Sequence, residues 1–439
     1  VIACAASFAF ADTATTELTS DLTLSSNVEA NYVIPSGSNV TINLNGYSIT
    51  GASTADVIHV ENGATLTIEG TGTVSIPANG TYSVIFNEGT TTLNGGTYVS
   101  TSQSGYYVIS NHGVMEINDG VTVEDIYEDT RDPNVGSYAA LVQNGYGNYR
   151  STNERNGYVS GVNAQYPELT INGGTFIGGR ATIKNDDAGV LEINDCEVRE
   201  SLSQCILNAH EATINGGTFE IETEGKPVIY SWCSLITGET TITGGTFTGD
   251  IAIQAVAGSL GSNVTVEDGT FTGGYAVDTN ATLEISGGTF SVDPSDYLAD
   301  GCGVIEDGTS YVVAGVTELT EDTVFEGEVF GSFIVPTGSN ITIILDDATI
   351  TGLSTADTIY VENGATLTIE GTGSVLSGGQ TVSAVFNNGT TTLNGGTYAG
   401  TSYIGNYVLT NHGVMTINAG VEVRDISEVP DGVNPVNVS

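Results

Sequence analysis

The side chains best placed to do chemistry lie in the run from Arg180 to Gly189, RATIKNDDAG, which brings Arg180, Lys184, Asp186 and Asp187 close together in the chain. Successive side chains of an extended strand alternate, so Arg180, Thr182 and Lys184 would share one face. A basic group beside two carboxylates suits acid–base work or the holding of a divalent cation. The competing reading is a surface ion pair at a turn, which is what such an isolated match usually is. Other chemistry is thinly represented. His59, His112, His210 and His412 are too scattered for a metal cluster, and no serine-hydrolase, zinc-protease or phosphate-loop motif occurs. His112 in Asn111-His112-Gly113 recurs as His412 in the same context, which suits a repeated corner better than a single active centre. Corners such as Asn118-Asp119-Gly120 lack the spaced ligands of a calcium loop, so no cofactor is expected beyond diffuse attraction of Ca2+.

A repeat must position these residues. TLNGGTY ends at Tyr98 and Tyr398 and TINGGTF at Phe176 and Phe219, with TITGGTF at Phe247 and EISGGTF at Phe290 as variants. The apolar residue before each turn is Ile42, Ile68, Leu93, Ile117, Ile171, Ile193, Ile214, Ile242, Val266 and Ile285, in steps of 26, 25, 24, 54, 22, 21, 28, 24 and 19 residues. Within a unit the period is two: in Thr65-Leu66-Thr67-Ile68 the apolar pair points one way and the threonines the other. Gly-Gly then permits positive φ at a corner. These features predict an all-β chain, a β-solenoid of about 16 coils. Asn94, Asn118, Asn172, Asn194 and Asn215 fall at aligned corners, where they could form a ladder of side-chain amides.

The NGGTF coils resemble the right-handed parallel β-helices of the pectate-lyase-like superfamily, particularly bacterial and archaeal surface and adhesin-like proteins. The resemblance spans Ile34 to Asp425 and speaks to fold, because that superfamily contains lyases, hydrolases, adhesins and structural rods. It implies that a polysaccharide lyase would place acidic Ca2+ ligands and a basic residue near mid-chain, for which Arg180, Lys184, Asp186 and Asp187 are the candidates. A polygalacturonase-like hydrolase would need paired aspartates, Gly-His-Gly and Arg-x-Lys in an order that this chain lacks. The expectation is therefore a protein that is not an enzyme.

A longer repeat is superimposed. The stretch from Ile34 returns from Val335, and VISNHGVMEINDGVTVEDI returns as VLTNHGVMTINAGVEVRDI. The predicted organisation is a signal-like segment 1–11, an N-terminal segment 12–33, a β-helix over 34–425 and a tail 426–439. Within the β-helix, 34–126 is the first block, 127–167 an inserted flap, 168–333 the middle coils and 334–425 the second copy. The last coils thus copy coils that elsewhere carry another coil, which points to a longer protein or to completion by a neighbouring subunit. The flap offers Tyr138, Tyr146, Tyr149, Tyr158, Arg150 and Arg155 as ligand or partner contacts.

With 8 basic against 52 acidic residues the formal charge is −44, which repels nucleic acid and anionic lipid. Ala9-Phe10-Ala11 resembles a secretory cleavage site, and the apolar start is too short to span a bilayer. Cys196, Cys205, Cys233 and Cys302 permit disulfides in an exported protein. Taken together, the expectation is an extracellular cell-surface protein, structural or adhesive, assembling with copies of itself into a sheath, surface layer or fibre. Glycans or host and cell-surface molecules are its further expected partners. The alternatives are a polysaccharide lyase or glycoside hydrolase and a carbohydrate-binding adhesin.

Overall fold

The computed structural model describes residues 15–52, 54–77, 82–100, 107–125, 140–145, 166–232, 238–258, 261–400 and 407–426. The chain is an all-β parallel β-solenoid of about 14 turns, with one short 3-10 helix, Ser295–Tyr297, among the described residues. It divides into two compact units, Val1–Leu283 and Glu284–Ser439. The division falls inside the stretch read as middle coils.

In the first unit most coils contribute three short strands, two of which merge into one longer strand at Thr246–Val256 and again at Thr270–Val277, and neighbouring coils pair strand on strand in parallel. The corner-marking residues form one unbroken row: Ile42 pairs with Ile68, then Leu93, Ile117, Ile171, Ile193, Ile214, Ile242 and Val266. All nine are fully buried. Burying each such side chain stabilises by roughly 1.5–3 kcal/mol. The row passes directly from Ile117 to Ile171, so the long step in the sequence leaves the stacking intact. A second row carries aromatic residues. Val123 pairs with Phe176, then Val198, Phe219, Phe247 and Phe271. Three of these rings stack, with centroids 5.0 Å apart for Phe219 and Phe247 and 4.8 Å for Phe247 and Phe271. That spacing is the rise from one strand to the next, so the backbone ladder dictates the stacking.

Glycine is required where a coil passes close beneath another. At Gly113, beside the recurring His112, an added Cβ would collide with the carbonyl oxygen of Gly89 in the coil below. The repeated Asn-His-Gly is therefore a corner dictated by backbone approach.

The second unit opens differently from the sequence expectation. The EISGGTF variant supplies Gly288–Phe290, which pairs antiparallel with Ser310–Glu318, and Cys302–Asp307 pairs antiparallel with the same strand. The turn between the latter two is Gly308-Thr309, and Gly308 has the positive φ, 61°, suited to a two-residue hairpin. These residues form a hairpin instead of coils, so the count falls from the expected 16 to about 14. Parallel stacking resumes where Val316–Glu318 pairs with Ser332–Ile334 and Thr323–Phe330 with Ile343–Thr351, and the chain then repeats the first block: Ile343, Ile369 and Leu393 form its buried marker row.

Candidate functional site

The strand Ala181–Asn185 carries the mixed-charge cluster, and every one of its residues is buried. The alternation read from the sequence would have left Thr182 and Lys184 facing outward in a groove. Thr182 instead bonds to the carbonyl oxygen of Gly178 at 2.6 Å, and Lys184 Nζ lies 2.6 Å from Asp186 Oδ2. Lys184 is 7% exposed, and Asp186 and Asp187 are each 5% exposed. Arg180 sits half-buried just before the strand. The structure thus joins Lys184 to Asp186.

The pair belongs to a network that crosses three coils. Ser110, Gln143 and Lys184 are register partners on successive strands. Ser110 Oγ donates to Gln143 Oε1 at 2.8 Å, and Gln143 Nε2 donates to the carbonyl of Gly145, two residues on, at 2.7 Å and to Asp186 Oδ2 at 3.4 Å. The ring of Tyr107 lies 5.9 Å from Lys184 Nζ. Burial raises the Asp186 carboxyl above its ordinary range, partly offset by Lys184 and the bond from Gln143. The geometry is that of a buried, hydrogen-bonded ion pair, which specifies packing and carries its own desolvation cost.

Two asparagine ladders flank this region. The one expected from the sequence lies on the outside: Asn118 donates to Asn94, Asn172 to Asn118, Asn194 to Asn172 and Asn215 to Asn194, at 2.8 to 2.9 Å. A second ladder, not anticipated, is buried. Asn87 donates to Asn111, Asn111 to Asn144, Asn144 to Asn185 and Asn185 to Asn208, at 2.7 to 2.8 Å.

The partly exposed surface of the same face presents aromatic rings. Phe86 lies 5.1 Å from His59 and 4.9 Å from His112, edge to face. The second block repeats the motif with Tyr360, Phe386 and His412, at 5.4 and 5.0 Å. The pairing across neighbouring coils changes in concert. His59 Nε2 lies 3.0 Å from Glu88 Oε2 in the first block, while in the second Asn388 Nδ2 donates to the Tyr360 hydroxyl at 2.9 Å. The bond to Glu88 raises the His59 pKa, and the same bond lowers that of Glu88. The signal in the sequence was the paired recurrence of Ile-His-Val as Ile-Tyr-Val and of Phe-Asn-Glu as Phe-Asn-Asn.

A shallow groove of about 470 Å³ runs along the outer corners, bordered by Asp119, Asp195 and Glu197 over Gly173 and Gly174. Its charge disfavours anionic ligands. Among the described residues no three His, Cys, Asp or Glu side chains are grouped to hold a metal ion, and no helix is long and apolar enough to cross a membrane. Among the described residues Cys196, Cys205 and Cys302 are free thiols. Burial pushes the Cys196 thiol up and that of Cys205 up to about 12. Cys233, the flap contacts Tyr138, Tyr146, Tyr149, Tyr158, Arg150 and Arg155, the leader-like segment 1–11 and residues 427–439 lie outside the described residues. Set against known proteins, the chain matches no family model, no curated protein and no solved structure.

Proposed function

We propose that this protein is an extracellular, non-enzymatic component of a cell surface, structural or adhesive, that associates with copies of itself. The observation that carries the reading is the doubled outward stripe. His59, Phe86 and His112 are presented once in each block's terms, as themselves and as Tyr360, Phe386 and His412. A surface offered twice suits multivalent attachment, in which a second contact is gained at high effective concentration. Flat rings with polar edges suit sugar or protein contact. The buried state of Lys184 and Asp186 favours a structural role for the mixed-charge cluster. Acidic residues spread over the surface attract divalent counter-ions diffusely.

Antibody labelling of intact cells, with fractionation, tests location; surface labelling is expected, and recovery in the cytosol would refute the proposal. A screen of polysaccharides tests chemistry. Products released by the intact protein and lost in Lys184→Ala would replace this reading with the lyase or hydrolase one.

A further inference from the structure

The side chains that meet around Gln143 are arranged as reactants. Ser110, Gln143 and Lys184 stand at one register position on three successive strands, so they leave the same face with a rise of about 4.8 Å from coil to coil. Lys184 Nζ donates to Asp186 Oδ2 at 2.6 Å, and Gln143 Nε2 donates to the same oxygen at 3.4 Å. One carboxyl oxygen thus holds an amine against a side-chain amide. The amide is fixed at its other atoms too: Ser110 Oγ donates to Gln143 Oε1 at 2.8 Å, and Nε2 also donates to the Gly145 carbonyl at 2.7 Å. All four side chains are buried, Gln143 to 1% exposure.

Each contact meets a need of amide exchange. When an amine attacks a carboxamide carbon, negative charge develops on the amide oxygen, and the Ser110 hydroxyl already points there. The leaving nitrogen must gain a proton, and Asp186 lies against both nitrogens. Burial raises the Asp186 carboxyl above its ordinary range, which suits it to take a proton from its neighbour. Fixed register replaces a chance encounter, and exclusion of water keeps hydrolysis from competing.

We infer that Lys184 and Gln143 become joined by an isopeptide bond, formed by the folded chain on itself with release of ammonia. Asp186 takes a proton from the Lys184 ammonium and leaves an amine. Nζ bonds to Gln143 Cδ, and the carbonyl electron pair moves onto Oε1. As that pair returns, the Cδ–Nε2 bond breaks; Nε2 takes the proton held by Asp186 and departs as ammonia, and Nζ passes a second proton to Asp186. One C–N bond has formed and one has broken, Asp186 ends as the acid, and the buried charge pair is gone. The product ties two neighbouring coils covalently and closes a loop of chain that runs through the inserted stretch. Because folding must first assemble the site, the bond grows in with time.

The test follows the full chain by mass spectrometry from fresh purification onward, with a parallel sample held unfolded in guanidinium chloride. The folded sample should lose the mass of one ammonia and the unfolded sample none. Trypsin does not cut after an acylated lysine, so it should release residues 132–150 joined to 181–199. Lys184→Met and Asp186→Asn should each keep the full mass. Ser110→Ala, a smaller disturbance of the fold, should slow the loss about a hundredfold, with circular dichroism confirming that each variant is folded. A folded chain that keeps every ammonia and is cut after Lys184 would overturn the bond. So would an ammonia deficit that persists in Lys184→Met, which would place the loss elsewhere.

Discussion

Truncating Asn144 to alanine should destabilise the first unit far more than truncating Asn194, although both belong to amide ladders. Asn144 is fully buried; its Nδ2 donates to Asn185 Oδ1 at 2.8 Å and to the carbonyl of Val190 at 2.9 Å, and its Oδ1 accepts from Asn111 at 2.7 Å. Asn144→Ala therefore breaks these three bonds, together with a longer one from Nδ2 to the Pro167 carbonyl at 3.4 Å, and strands their partners away from water. At about 1 kcal/mol net per bond, with the added cost of unsatisfied buried groups, the loss should be roughly 3–4 kcal/mol. Asn194 makes two ladder bonds at 2.8 Å but is exposed, so water replaces them. Its loss should be about 1 kcal/mol or less. Equilibrium urea unfolding, followed by far-ultraviolet circular dichroism, gives both values from the midpoint shift at constant slope. If the two variants fell within about 0.5 kcal/mol of each other, burial would not be what sets the strength of the ladder.

Four further outcomes are expected. The pair His59–Glu88 should make stability pH-dependent: because Glu88 raises the His59 pKa in the folded state, its contribution is fully present below the unfolded value near 6.5 and is lost as pH rises through the raised folded value. Exchanging both residues for those of the second block, His59→Tyr with Glu88→Asn, should flatten that dependence in pH-resolved melts while keeping the fold. Lys184→Met leaves Asp186 buried without its cation and should cost about 3–5 kcal/mol, whereas Lys184→Met with Asp186→Leu should recover most of it in urea melts. The Cys196 and Cys205 thiols should resist alkylation until urea unfolds the chain, as read by mass spectrometry.

The two ladders show what the sequence could and could not reveal. Asn94, Asn172 and Asn215 each precede Gly-Gly in the same motif, so their alignment is visible by inspection. Asn87, Asn111, Asn144, Asn185 and Asn208 sit in unlike surroundings, Phe-Asn-Glu, Ser-Asn-His, Gln-Asn-Gly, Lys-Asn-Asp and Leu-Asn-Ala, and become a row through strand register alone. The hairpin over residues 302–318 had a local signal in Asp307-Gly308, which the stronger NGGTF pattern obscured. For Lys184 the strand was legible and its period correct, but period says which way a side chain points, and burial depends on what non-local residues stand there.

The two ladders also run in opposite senses. On the buried row each amide donates to the asparagine of the following coil, and on the outer row each donates to the preceding one. Every coil that carries both asparagines therefore has a donor and an acceptor on each side, matched to any other such coil. Such a chain can lengthen or shorten by whole coils with no new interface to invent. A second block so close to the first is the kind of product that this interchangeability tolerates, whereas the gain or loss of a single residue within a strand would unseat both ladders together.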